Sequence, residues 1–157
     1  MSLNVLWIED EPNSLSYEVV VAEQCGWHIT WADTVARGLE LLRDLVFELV
    51  VIDLILPANN DEKVRGYVGA GAGARLIQLI RDAARRGRTP ASVPVLVISA
   101  SVADDIKAKV VDRLGSARYY LHKPLNEQAY RDVVKELTER LASSPERSSQ
   151  PTTSADS

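Results

Sequence analysis

The 157-residue sequence has few of the residues that several functional classes require. Its single cysteine, Cys25, excludes an intrachain disulfide and a cysteine-rich zinc site. Two histidines, His28 and His122, are too few for a three-histidine metal centre. No apolar run approaches the roughly 20 residues that cross a bilayer, and acidic residues at 9–11 interrupt the first apolar stretch, unlike a signal peptide. We therefore expect a reduced, cytoplasmic protein without membrane insertion.

The excess of acidic over basic residues disfavours binding to nucleic acid. Eighteen basic and 22 acidic residues give a formal net charge of -4. Nonspecific affinity for nucleic acid comes from lysine and arginine side chains that neutralise phosphates. We therefore expect no direct contact with nucleic acid. The hydrophobic fraction of 46% is sufficient for a buried core, and the length favours one domain.

Short apolar runs alternate with segments of helical periodicity along the chain. The run at 49–52 is apolar on both faces, which is typical of a parallel sheet covered by helices on both sides. Five such runs, each followed by a predicted helix, indicate an open, doubly wound α/β fold. Residues 143–157 contain mostly serine, threonine, proline and charge, and are predicted to be a disordered tail. The predicted strands are 3–8, 27–31, 49–52, 95–98 and 118–121.

Several residues mark where the predicted helices begin and end. Pro12 suits the first turn of a helix, where its missing N–H has no cost. Asp33 and Asn126 are predicted N-caps, because their side chains can accept from free backbone N–H groups. Gly115 follows a helical pattern and is predicted to adopt the left-handed conformation after its end.

Polar side chains follow four of the predicted strands. Glu9 and Asp10 end the first, Asp53 the third and Ser99 the fourth, while Lys123 follows the fifth. Ligands of open parallel sheets bind at the carboxyl ends of the strands. Clustered carboxylates favour a hard cation, and Mg²⁺ typically binds one or two carboxylates together with a phosphate. An aspartate can also act as a nucleophile and form an aspartyl-phosphate.

Four segments resemble the signatures of bacterial two-component response-regulator receiver domains (CheY-like). The resemblance extends over about residues 3–141 with one interruption, and it predicts a receiver domain at 1–142. It implies a flavodoxin-like (βα)5 sheet with strand order 2-1-3-4-5. It also implies a signalling domain that promotes only its own phosphorylation and dephosphorylation, rather than an enzyme. The segments are VLWIEDEP at 5–12, VIDLILP at 51–57, VLVISA at 95–100 and YLHKP at 120–124.

The resemblance assigns the phosphoacceptor and the metal ligands. In such domains the aspartate at the end of strand three, here Asp53, takes a phosphoryl group from a sensor histidine kinase or a phosphotransfer protein. Asp10 matches the direct Mg²⁺ ligand, and Glu9 matches the partner that acts through water. Ile55 stands where the backbone carbonyl binds the metal.

The resemblance also assigns the residues that respond to phosphate. Ser99 and Lys123 match the switch residues that contact the phosphoryl group. Tyr120 matches the aromatic side chain that changes rotamer on activation. Pro124 stands where the preceding peptide bond is usually cis. The downstream protein is unidentified. Homodimerisation is left open, but Arg118 and Tyr119 replace the acidic pair of many transcription-factor receivers, which disfavours their dimer mode here.

One segment departs from the family pattern. Residues 58–72 are polar and glycine-rich and form an insertion after strand three that is either inert or, through Arg65 and Tyr67, a lid or partner contact. Its Gly69–Gly73 run has the spacing G-x-G-x-G rather than that of a dinucleotide site. Two other functions stay open: a docking module that needs no phosphorylation, and an aspartate-nucleophile phosphatase. The phosphatase is disfavoured because Ile55 occupies the place of its second carboxylate.

Overall fold

The apolar runs of the sequence pair into one parallel sheet. The computed structural model describes residues 2–53, 72–99, 104–115 and 119–143, so Ile55, Arg118, most of the predicted insertion and the tail beyond Ser143 lie outside it. The strands have the spatial order β2-β1-β3-β4-β5, which confirms the flavodoxin-like prediction. They are β1 (Leu3–Ile8), β2 (Trp27–Ala32), β3 (Leu49–Ile52), β4 (Val95–Ser99) and β5 (Tyr120–His122).

The predicted helices are also confirmed, and they cover both faces of the sheet. A 3₁₀ turn at Pro12–Leu15 precedes the first of them. Within the described ranges, no helix has the length and apolarity needed to cross a membrane. The helices are α1 (Ser16–Gln24), α2 (Val35–Asp44), α3 (Ala72–Arg85), α4 (Asp104–Leu114) and α5 (Glu127–Ala142).

Strand β3 shows why a continuous apolar run is needed at the centre of the sheet. Val50 and Ile52 face a core cluster that contains residues of α2, α3 and α4. Leu49 and Val51 face a second cluster that contains residues of α1 and α5. Successive side chains of a strand point to opposite faces, so all four must be apolar and all four are fully buried.

The helix ends agree with the sequence predictions except at α2. Its N-cap is Thr34 rather than Asp33, because the Thr34 hydroxyl accepts a hydrogen bond from the Arg37 N–H at 3.1 Å. Asn126 caps α5 as predicted and accepts from the Ala129 N–H at 2.9 Å. Gly115 has the predicted left-handed backbone, with φ of 79°.

The fifth strand begins later than predicted, at Tyr120 instead of residue 118. Tyr119, just before this strand, is buried, with 9% of its surface exposed. Its hydroxyl accepts a hydrogen bond from Arg140 of α5, whose guanidinium also lies over the Tyr119 ring. Packing against the last helix therefore determines the position of Tyr119.

Candidate functional site

The parallel register brings the predicted site residues to one edge of the sheet. Ile8 of β1 pairs with Ile52 of β3, so the next residues, Glu9 and Asp53, leave the sheet side by side. Ser99 ends β4 opposite His122 of β5. The site is therefore assembled from the carboxyl ends of four adjacent strands.

Lys123 joins the carboxylates at this edge. Its Nζ donates to Asp53 Oδ2 at 2.7 Å and lies 3.9 Å from Glu9 Oε2. Glu9 is 5% exposed and Asp53 8% exposed, so both carboxylates are largely removed from water. The Lys123 backbone N–H donates to the Ser99 carbonyl at 2.9 Å, which fixes the start of the loop after β5. The Lys123–Pro124 peptide bond is cis, the isomer that the resemblance to receiver domains implies.

Burial and charge act in opposite directions on the ionisation of these groups. Burial raises the pKa of Glu9, and the neighbouring Asp10 and Asp53 add to this effect, while the Glu11 N–H and Lys123 oppose it. Burial would lower the pKa of Lys123, but its hydrogen bond to Asp53 and the nearby acidic charges raise it. Lys123 is thus held as a cation, whereas the charged form of Glu9 is disfavoured.

Two buried hydroxyl groups lie beside the ion pair. Ser99 is fully buried and Tyr120 is 4% exposed. The Ser99 hydroxyl lies close enough to the Tyr120 hydroxyl to lower its pKa. Neither has a hydrogen-bond partner of acceptable geometry within the described ranges. Burial raises the pKa of the Tyr120 hydroxyl, and the charge of Asp53 adds to it.

The Tyr120 ring lies between two other side chains. Lys107 Nζ of α4 is 5.5 Å from the ring centroid, a distance at which a cation is attracted to the aromatic face. The His122 ring centroid lies 5.0 Å from that of Tyr120. Tyr120 is therefore stabilised in its buried position by contacts with a side chain of α4 and with a neighbouring side chain of β5.

Solved receiver-domain structures match this architecture. The receiver domain of the Francisella response regulator 1452 is 22% identical, with a TM-score of 0.63 over 88% of this chain and 98% of that one. The non-phosphorylated HemR receiver domain from Leptospira biflexa is 22% identical, with a TM-score of 0.64 over 88% and 96%. A response regulator from Thermotoga maritima is 18% identical, with a TM-score of 0.62 over 89% and 100%.

The chain has the fold of response-regulator receiver domains. No protein-family model matches the sequence, and no curated protein matches it either. At these identities the likeness shows the receiver fold alone, so the chemistry must be argued from the site itself.

The donor set at the edge of this receiver fold suits Mg²⁺. Asp10 lies against the Glu9 carboxyl, and Glu9 and Asp53 interact through their charges. Within the described ranges no three acidic, histidine or cysteine side chains form a ready-made metal cage. Mg²⁺ does not need one, since it keeps several waters and binds through one or two carboxylates and a phosphate. Asp10 and Asp53 could supply those carboxylates, with Glu9 acting through water.

The structure thus unites Glu9, Asp10, Asp53 and Lys123, and places the Ser99 and Tyr120 hydroxyls beside them. The assignment of Ile55 lies outside the described residues. The sequence analysis does not predict the contact of Lys107 with Tyr120. No pattern in the sequence reports this contact, because it joins a helix and a strand that meet only in the folded chain.

Proposed function

We propose that this chain is a phosphoacceptor receiver, in which Asp53 takes a phosphoryl group in a Mg²⁺-dependent reaction. The main support is the ion pair between Asp53 and Lys123, at 2.7 Å. It lies beside a second buried carboxylate, that of Glu9. A buried aspartate next to a lysine and further acids matches what phosphoryl transfer to a carboxylate requires. The lysine can neutralise the charge of the incoming group, and Asp53 supplies the attacking oxygen.

In the proposed reaction, an Asp53 carboxylate oxygen forms a bond to phosphorus as the bond from phosphorus to the donor breaks. With phosphohistidine as donor, the histidine nitrogen leaves with the electron pair and takes up a proton. Lys123 then pairs with the phosphoryl oxygens, and the Ser99 hydroxyl, which has no partner among the described residues, donates to one of them. Mg²⁺ at Asp10 and Asp53 would neutralise further negative charge.

The phosphoryl group would then change partner binding through Tyr120. Loss of the Asp53–Lys123 pair and use of the Ser99 hydroxyl would alter the environment of the Tyr120 hydroxyl. We expect a histidine kinase or phosphotransfer protein upstream, a separate protein downstream and a cytoplasmic location. The receiver would act as a signalling domain rather than as a turnover enzyme.

The central experiment is modification by a small-molecule phosphodonor. Incubation with acetyl phosphate and Mg²⁺ should add the mass of one phosphoryl group to the intact protein, and peptide mapping should locate it at Asp53. Asp53→Asn should abolish the gain, whereas Asp44→Asn, at an exposed aspartate of α2, should leave it unchanged. A wild-type protein that neither gains this mass nor binds beryllofluoride would contradict the proposal and favour a docking module independent of phosphorylation.

A further inference from the structure

A group of exposed arginines lies at the edge of the sheet opposite Asp53. The end of α2 and the loop after α3 meet there, where the chain enters β3 and β4. Two of the three exposed large hydrophobic side chains in the described ranges lie in the same place, 45% and 38% exposed. We call this set the arginine patch: Arg43, Leu45, Val46, Arg85, Arg86 and Arg88.

The two loops that form the arginine patch, one after α2 and one after α3, are joined by hydrogen bonds. The Arg88 N–H donates to the Arg43 carbonyl at 3.1 Å. The buried Thr89 hydroxyl donates to the Leu45 carbonyl at 2.6 Å. A Cβ added to Gly87 would lie 2.3 Å from the Arg43 Cα, so only glycine permits this approach. The backbone of the patch is fixed in this way, so it loses little conformational freedom when a partner binds.

The positive charge of the patch is only partly balanced. Arg85 pairs with Asp82 at 3.6 Å across two side chains that are 67% and 38% exposed, a pair of little energetic weight. Arg43 donates from Nε to the Leu39 carbonyl at 3.3 Å, which leaves its terminal nitrogens to solvent. Within the described ranges, neither Arg86 nor Arg88 has an ion pair or a side-chain hydrogen bond. Three acids adjoin these arginines in sequence, Asp44, Glu48 and Asp82, so the four arginines leave a small local excess of positive charge on a chain of net charge -4.

We propose that the arginine patch is a docking surface for an acidic protein segment that carries apolar side chains between its carboxylates. Guanidinium groups match carboxylates through paired hydrogen bonds. Leu45 and Val46 offer adjacent apolar contacts, and arginine is enriched at the centres of protein interfaces. The patch contains no aromatic residue on which bases could stack, and the apolar faces of α2 and α3, which end there, are buried in the core and cannot lie in a membrane surface. An acidic protein segment is therefore favoured over nucleic acid and lipid.

This docking surface does not depend on phosphorylation. It lies at the start of β3, whereas Asp53 follows the end of that strand, four residues and about 13 Å away at the usual rise per residue. Changes to the patch should therefore leave modification by acetyl phosphate unchanged. The two proposals can fail separately.

The test measures binding of a fluorescein-labelled peptide of glutamates with interspersed leucines, by anisotropy at low salt. Arg86→Glu/Arg88→Glu should weaken binding by roughly tenfold or more, because two attractive charges become repulsive. The matched control Arg37→Glu/Lys109→Glu makes the same charge change at exposed positions elsewhere and should alter binding by less than about twofold. Thermal melts check that each variant is folded, and Arg86→Gln/Arg88→Gln replaces the first variant if it is not.

The apolar part of the proposal has its own readout. Replacing the leucines of the peptide by serine should weaken binding to the wild type more than to Leu45→Ser/Val46→Ser, a coupling that a double-mutant cycle measures. Equal weakening by the patch and control variants, or a coupling of zero, would overturn the proposal. So would tighter, patch-dependent binding of a DNA duplex or of phosphatidylglycerol vesicles, which would reassign the surface to those partners.

Discussion

Lys123 supplies the positive charge that pairs with the buried carboxylates of the site. It lies between two buried carboxylates and contacts Asp53 closely and Glu9 at a longer distance. Because Lys123 follows strand five, the sequence predicts that its side chain reaches the site. The sequence does not predict whether Lys123 pairs with Asp53 or with Glu9. That choice is made by the loop after β5, which is held by the backbone bond to Ser99.

Glu9 should make the stability of the metal-free protein depend on pH. Its pKa in the folded state lies above its ordinary value of 4.5, chiefly because of burial. The folded state therefore binds this proton more tightly than the unfolded chain does, and stability falls as the pH rises from 4.5 through the folded pKa. Glu9→Gln should accordingly raise the free energy of unfolding at neutral pH in chelator-treated buffer.

Urea unfolding across the acidic to neutral range checks this prediction. The advantage of Glu9→Gln should shrink as the pH falls and disappear below 4.5, where Glu9 is protonated in both states. Glu11→Gln makes the same charge change at the exposed neighbouring acid and serves as the control. A Glu9→Gln protein less stable than the wild type at neutral pH would show that the ionised carboxylate is favourable there.

Lys107 should influence the position of Tyr120. Lys107→Met keeps the aliphatic chain but removes the cation that lies 5.5 Å from the ring centroid. Such contacts contribute about 0.5–1 kcal/mol at exposed sites, so the fraction of Tyr120 in an outward rotamer should rise roughly two- to fivefold. ¹⁹F NMR of fluorotyrosine at this position measures the change. Lys107→Arg should restore the wild-type spectrum, and a spectrum unaffected by both variants would count against the contact.

At the scale of whole elements, local sequence signals predict whether a segment is a helix or a strand and roughly where it lies, but not the residue at which it begins or ends. Asp33 and Thr34 are both good N-caps, and only the register of α2 on the sheet selects Thr34. β5 is short and lies at the edge of the sheet, so its start depends on pairing with β4 rather than on its own residues. The contact of the α2 end with the loop after α3 joins residues 45 positions apart and leaves no periodic trace in the sequence.

The close approach of these two connections predicts the effect of Gly87→Ala. The new methyl group would overlap the Arg43 backbone, which cannot rotate away as a side chain could. The loops must separate, at a cost of about 1–3 kcal/mol in the free energy of unfolding. Chemical denaturation measures the loss, and Arg86→Ala at the exposed neighbour should stay within roughly 0.5 kcal/mol of the wild type. Equal stability of both variants would mean that the loops are not held together as described.

At the scale of the whole molecule, the sequence predicts the fold well because each level of information agrees. Buried strands are apolar on both faces, the helices other than α1 have one apolar face, and polar residues with the right chemistry stand at the strand ends. The site follows from topology, since parallel strands must bring their carboxyl ends together. The hydroxyls of Ser99 and Tyr120, which have no hydrogen-bond partner among the described residues, and the arginine patch could not be predicted, because both features depend on side-chain surroundings created only by tertiary packing.

Because the net charge is -4, any divalent cation should stabilise the molecule slightly by screening its negative charges. A test of specific Mg²⁺ binding must therefore separate binding from screening. Binding to the folded state alone adds about 2.7 kcal/mol at a concentration of a hundred times the dissociation constant. Mg²⁺ should therefore raise the melting temperature of the wild type beyond the rise caused by NaCl of equal ionic strength. Asp53→Asn should lose this excess, because it removes a proposed ligand, while Asp44→Asn should keep it. An excess that persists in Asp53→Asn would place the cation elsewhere on the acidic surface and remove Asp53 from its ligands.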